Sequence, residues 1–399
     1  MKSTRTNLLL LLSTFIALGF TGTAWADVPV TRTLYQMIAV PAGGSVKVEN
    51  LVGHMTVAQE SGSLKVNTVK GATALVQEML GRSPLRVTAT VMAGGSQAQA
   101  LADSVKLDVS TTGNQVTVHV HYPVDQYDSY LYNPPHTNAN GDENYCFLGF
   151  VCVHGNGHSE VEYQGTRVQV NENGDSGTPL YVDVSVQLPA GVNASFVNAM
   201  GLLEANSLAN TLSFTTEGSD INLRNLTGDL TADSSGGDID VNNIAAHTLD
   251  VDTSGGDVTG ADLKGDVKLE TGGGDANLET VIGTLHAATG GGDMHLKGDL
   301  AALNTLYART GGGDLRVSGD ASALRDLDVS TGGGDAVLHV SNLSIHLEAS
   351  AGGGDVNIHL PDISGNVVSK DDYFSGDIGK AIGRGTIHSG GGDITVSSN

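Results

Sequence analysis

Basic residues are scarce: 20 Lys and Arg stand against 44 Asp and Glu, a formal net charge of −24. So acidic a chain repels nucleic acid and anionic lipid and stays dispersed by self-repulsion. Long apolar runs are missing too. After the stretch 8–20, nothing from Asp27 onward is long enough for a membrane-spanning helix. Cysteine is limited to Cys146 and Cys152, and no Cys follows Ala26 at the predicted cleavage site, so lipoprotein anchoring has no acceptor. The single Trp is Trp25. No Ser-His-Asp spacing or phosphate-binding loop stands out, and the 13 histidines are scattered. These absences argue against the commoner hydrolase and nucleotide-handling sites.

What is present begins with a leader. Lys2, Arg5, an apolar run from Leu8 to Phe20 and Ala24-Trp25-Ala26 predict a secretory signal peptide over residues 1–26. Its removal takes away two basic residues and no acidic ones, leaving 18 − 44 = −26. The expected location is the periplasm or the outside of a bacterial cell.

From about Thr211 onward one tripeptide recurs, Gly-Gly-Asp. Its aspartates are Asp238, Asp257, Asp275, Asp293, Asp314, Asp335, Asp355 and Asp393, with degenerate copies ending at Asp220 and Asp377. Successive spacings of 16 to 22 residues mark a stacked-repeat architecture. The residue after each Asp and the one two further on are mostly Ile, Val, Leu, Ala or Met, broken by Gly260 and Lys380. That period of two describes a strand with one buried face. Six and eight residues before the Asp lie further apolar columns, and four before it lies Thr or Ser, with Ala351 the exception. The expected fold is all-β: a β-solenoid of roughly 20-residue units stacked at about 4.8 Å. Its glycines are expected to supply positive φ at a corner. Its aspartates are expected to cap local N–H groups as Asx turns do. Its hydroxyls are expected to form a ladder along the stack.

Four regions follow: the leader 1–26, a β-rich part 27–121, an insertion 122–179 and the solenoid 180–399. In the second, 45–49 and 53–57 read as coil-forming strands, and 103–120 as a hairpin turning at Thr112-Gly113-Asn114. Short helices are expected over 72–80 and 97–102. The insertion carries Pro123, Pro134, Pro135, Pro179 and six of the ten tyrosines, and reads as a long loop.

Three constellations carry potential chemistry. Cys146 and Cys152 close a small loop as a disulfide in an exported chain, while C-x5-C-x-H-x3-H with His154 and His158 leaves zinc as the alternative. The aspartate column Asp220, Asp238, Asp257, Asp275, Asp293, Asp314, Asp335, Asp355, Asp377 and Asp393 reads as a structural turn ladder. Calcium is the alternative, but the period differs from the nonapeptide calcium repeat and the second Gly-Asp turn is irregular. Tyr127, Tyr130, Tyr132 and Tyr145 offer either a contact surface for protein or glycan or side chains packed against the solenoid flank. His295, His339 and His359 fall at outward strand positions, and basic residues in the repeats are out of register. Polysaccharide cleavage, known from some β-helical proteins, therefore lacks its proton acceptor.

The stretch Gly44-Ser45-Val46-Lys47-Val48-Glu49-Asn50-Leu51-Val52-Gly53, the strand Val182–Pro189 and the recurring Thr-Gly-Gly-Gly-Asp units resemble the bacterial adhesin-like family of β-strand-repeat proteins, a domain of unknown function. The resemblance implies a β-helical fold and brings no catalytic or ligand residues. The insertion with its tyrosines and cysteines departs from the family pattern. The expected function is that of an exported, non-enzymatic repeat protein contacting an unidentified surface or envelope component, protein or glycan. A periplasmic structural or stress-related scaffold is the alternative.

Overall fold

The computed structural model describes residues 30–60, 84–132, 145–147, 151–153, 158–172, 176–298 and 300–398, with backbone alone at 145–147, 151–153, 158 and 172. The leader 1–26 and the helix expected over 72–80 lie outside the described residues. The chain divides into two compact units, one running to Leu203 and the other from Glu204.

In the first unit, alternation of apolar and polar residues places one face of each strand inside. Val87, Ala89 and Val91 of Leu85–Ala93 are fully buried. Val30–Ile38 and Leu180–Leu188 flank that strand antiparallel, and Met55–Gln59 lies parallel beyond Leu180–Leu188. A second run sets Ser45–Val52 between Asn193–Met200 and Gln115–His121, parallel to both. Lys106–Thr112 pairs with Gln115–His121 as the expected hairpin, turning at Gly113 with φ +61°. The single described helix is Ala98–Ser104, which buries Ala98, Leu101 and Ala102.

The two coil-forming pieces meet at a corner. Gly53 has φ +132°, and a Cβ there would sit 2.1 Å from the Val182 carbonyl oxygen. Behind the corner, the amide nitrogen of Asn50 donates to the Val182 carbonyl at 3.0 Å and to Oδ1 of Asn198 at 2.9 Å. The amide of Asn198 donates in turn to the Gly53 and Gly201 carbonyls at 2.8 and 2.6 Å. Both asparagines are wholly buried. Corner carbonyls have no strand partner, and these side chains supply the missing donors.

The segment 122–179 contains more order than a loop. His158–Tyr163 pairs antiparallel with Thr166–Glu172, which runs parallel to Ser129–Tyr132. Val161, Tyr163, Val168, Val170, Tyr130 and Tyr132 share its buried face. Tyr145–Phe147 and Val151–Val153 form a separate short hairpin.

The second unit is the β-solenoid. Strands before the Gly-Gly-Asp corner stack parallel and in register, aligning Leu212, Leu230, Leu249, Val267, Leu285, Leu306 and Leu327 in one buried column. Strands after the corner align Ile221, Ile239, Val258, Ala276, Met294, Leu315 and Ala336 in another. Two further corners complete the earlier coils. At one, Asn225, Asn243, Asp262 and Thr280 adopt φ between +53° and +59°. Asn243 donates to Asn225, and Asn225 to Asn206, at 2.7 and 3.0 Å. At the other, Gly228, Gly265 and Gly283 have φ of +107° to +134°.

Asparagine and aspartate tolerate the left-handed region, whereas a β-branched side chain there is strained by about 1–2 kcal/mol. Thr280→Asn is therefore expected to raise the stability of the solenoid by about 1 kcal/mol. A urea midpoint unchanged from the parent would refute the strain.

The stack departs from sequence order at its far end. The strand Asp326–Thr331 is followed by Gly383–Ser389, and only then by Ile345–Ala351. On the other face Ile394–Ser397 lies between Ala336–Ser341 and Val356–His359. The last repeat in the sequence thus occupies the penultimate rung. Tyr373–Ile378 covers Ile345–Ala351 antiparallel, and Ile363–Ser369 pairs with it outermost.

Candidate functional site

The conspicuous polar feature is the aspartate corner. Oδ1 of each ladder aspartate accepts the backbone N–H of the aspartate in the next rung, not an N–H of its own turn. Asp220 accepts from Asp238, and the bonds continue through Asp257, Asp275, Asp293, Asp314 and Asp335 to Asp393 and lastly Asp355. All eight lie between 2.7 and 2.9 Å. The local Asx-turn expectation is corrected: the bond is between rungs, and it offsets the repulsion between carboxylates stacked one per layer. Asp377 stands off the ladder. It lies on the covering strand Tyr373–Ile378, where Oδ1 meets Nδ1 of His346 at 2.6 Å.

The hydroxyl column is buried and bonds to the corner backbone instead of forming an OH-to-OH ladder. Thr253 accepts from Gly256 N–H at 3.2 Å and donates to the Gly237 carbonyl of the preceding rung at 2.9 Å. Ser234 and Thr271 do the same, whereas Thr289, Thr310 and Thr331 donate to carbonyls of their own corners. The glycines also serve a different purpose from the one expected. None of the Gly-Gly-Asp glycines has positive φ. A Cβ on Gly274 would stand 2.1 Å from the Gly256 carbonyl oxygen, so the second glycine of the tripeptide is glycine because the rungs approach too closely for a side chain, whereas at Gly273 the nearest atom would be 3.8 Å away.

Burial raises the carboxyls of Asp220 and Asp238 above the ordinary range, and the next aspartate along the ladder adds to the rise, while the accepted N–H bond works against both. Burial likewise raises Asp240, despite its ion pair with Arg224. A carboxyl whose folded value lies above its unfolded one binds its proton more tightly when folded. Its stabilising contribution is fully present below the unfolded value and is lost as pH rises through the folded one. The solenoid is expected to gain stability from these groups as pH is lowered from neutral towards the ordinary carboxyl value of about 3.9. Asp220→Asn, which keeps an acceptor for Asp238 N–H, should flatten that slope. A slope of opposite sign in a pH series of melting curves would contradict it.

Of the four tyrosines read as either a contact surface or packed side chains, two are interior. Tyr130 and Tyr132 are buried, at 0% and 7% exposure, and so are not free to contact a partner. Tyr122 packs edge-on against Tyr130 and Tyr163, with ring centroids 5.5 and 5.9 Å apart, and Tyr132 packs against Tyr181 at 5.3 Å. The hydroxyls of Tyr122 and Tyr163 reach the Val52 and Val120 carbonyls, each at 2.7 Å. Tyr127 is half-buried and its hydroxyl meets Gln97 at 3.4 Å. The side chains of Tyr145, Cys146 and Cys152 lie outside the described residues, as do His154 and the side chain of His158. The backbone sets Cys146 directly opposite Cys152 across the short hairpin.

Among the described residues, no three His, Cys, Asp or Glu side chains converge as metal ligands. No described helix is long and apolar enough to cross a membrane. The solenoid's outward strand positions instead bind one rung to the next. Lys268 meets Asp250 at 3.5 Å, Arg309 meets Asp328 at 2.9 Å, and the rings of His286 and Tyr307 stack at 4.5 Å. Ser397 Oγ lies 2.7 Å from Nδ1 of His339 on an open strand face.

No curated protein matches the chain. Solved structures with 10–12% identity include a provisionally named cell-adhesion protein from Clostridium sporogenes (TM-score 0.20, covering 93% of this chain and 100% of that one). Two provisionally named adhesins, from Bacteroides fragilis and Parabacteroides distasonis, give TM-scores of 0.31 and 0.28 and cover 93% and 92% of this chain and 97% of each of theirs. The Toastrack DUF4097 family matches residues 156–397, more than half of the sequence. Spanning the strands His158–Tyr163 and Thr166–Glu172 and the whole Gly-Gly-Asp stack, that match makes this chain a member of the Toastrack DUF4097 family.

Proposed function

We propose that this chain is an exported, non-enzymatic scaffold that makes contacts at the bacterial envelope, with the outward faces of the solenoid as its contact surface. The observation that carries this reading is the rung-to-rung locking of those faces. Ion pairs, a stacked ring pair and the aspartate ladder all run along the stack, so the exposed side chains are held in fixed columns. Preorganised side chains lose little entropy on binding, which suits a surface that recognises a repetitive partner, protein or glycan. The net charge of −24 favours a partner with cationic groups. Protease treatment of intact cells tests the location. Digestion of the protein while a periplasmic control survives is expected for surface display, and protection would favour the alternative, a periplasmic scaffold.

A disulfide between Cys146 and Cys152 is part of the same proposal. Directly opposed residues of an antiparallel pair lie about 4.5–5.5 Å apart at Cα, within disulfide reach. The unreduced protein is expected to resist maleimide. Labelling that appears only after EDTA would indicate zinc instead.

A further inference from the structure

We propose that the last rung, residues 383–397, is an exchangeable element, and that the partner it fits is a second copy of this chain. In the exchanged dimer, each chain's last rung seats in the other's cleft between the rungs 326–341 and 345–359.

The argument starts from the order of the stack. Rungs laid down in sequence cannot leave without pulling their neighbours apart. This rung is different, because its two walls are joined to each other through Asn342, Leu343 and Ser344, a link that does not pass through the rung itself. The rung is bonded to both walls in parallel register, at Asp328↔Thr386 on one side and Glu348↔Thr386 on the other. Asp393 occupies its ladder position between Asp335 and Asp355. Any second copy carries the same residues in the same register, so a borrowed rung makes every one of these bonds.

The rung also contributes one core side chain fewer than its neighbours. Where its neighbours place Leu327 and Leu347 in the core, it places Gly385, and Ile345 Cδ1 leans to within 2.5 Å of where a Cβ would be. Its link to the covering strand is short and strained. Ala381 holds φ +49°, and Ile382 is 55% exposed. A short strained hinge favours exchange, because the extended hinge of the dimer releases the strain while all other contacts are conserved.

Paired cysteines read out the exchange. Thr386 Oγ1 lies 3.5 Å from Asp328 Oδ1 on the exposed face. Full-length Asp328→Cys and Thr386→Cys proteins are mixed, unfolded in urea and refolded together at high concentration, then oxidised. A covalent dimer that requires both variants is the expected result. Deleting Lys380 and Ala381 should shift the refolded protein from monomer to dimer mass in light scattering. The single chain carrying both cysteines is the control for the chemistry. If it cross-links internally while the mixture gives no dimer above the single variants, the exchange is overturned. The mixing test uses the intact hinge and so stands even if the deletion variant does not fold.

Discussion

Gly274→Ala is expected to destabilise the solenoid by about 3 kcal/mol, and Gly273→Ala, its neighbour in the same corner, by less than about 0.5 kcal/mol. The difference lies in the stacking direction. A methyl group on Gly274 would meet the Gly256 carbonyl oxygen at 2.1 Å, the carbonyl carbon at 2.5 Å and Oδ1 of Asp257 at 2.6 Å. None of these atoms can yield easily: Asp257 Oδ1 already accepts from Asp275 N–H, and the Gly256 carbonyl from the Thr271 hydroxyl. At Gly273 the nearest atom stands at 3.8 Å, an ordinary contact, and alanine there restricts the unfolded chain. Gly272 resembles Gly274, with the Ser254 carbonyl oxygen at 2.3 Å. The three alanine variants, compared by urea unfolding followed by circular dichroism, should fall in the pattern severe, silent, severe. Equal losses at all three positions would show that the glycines are required for backbone conformation instead.

Asn198→Ala should cost the first unit about 4 kcal/mol. Its amide donates to the Gly53 and Gly201 carbonyls, and its Oδ1 receives the Asn50 amide, all without exposure to solvent. Removing it leaves buried carbonyls without donors and opens a cavity beside Asn50, whose Oδ1 also accepts from the Tyr122 hydroxyl at 3.3 Å. Asn198→Asp retains the acceptor for Asn50 but loses both donations, so it too should destabilise strongly. Tyrosine fluorescence separates the units, since eight of the ten tyrosines precede Leu203 and only Tyr307 and Tyr373 follow. A loss confined to the circular dichroism signal of the second unit would contradict the assignment.

Much of the solenoid was legible because its signals are local. The columns around each aspartate survive at one per rung, and they mark which side chains face inward. Contacts between rungs were not legible in the same way. The aspartate's bond partner sits 18 to 21 residues away along most of the ladder, so a within-turn reading was the natural error. The corner at Asn225, Asn243 and Asp262 did leave a trace, five residues after each ladder aspartate, but Thr280 breaks its composition. The position of Asp377 misled because Ser375-Gly376-Asp377 imitates a corner while lying on an antiparallel covering strand. The burial of Tyr130 and Tyr132 was hard to read because their alternation lasts only four residues before Pro134 and Pro135 interrupt it.

The out-of-order rung also sets an order for folding. Each rung up to 326–341 can close on the one before it, but the ladder bond from Asp393 to Asp335 spans 58 residues, and the rung 345–359 stacks in parallel only on the last one. Asp393 itself follows Asp355 by 38 residues. In an exported chain, which folds after crossing the membrane, the rung 345–359 gains its parallel partner only when that later stretch has also crossed, and until then the last rung of a neighbouring chain fits the same place.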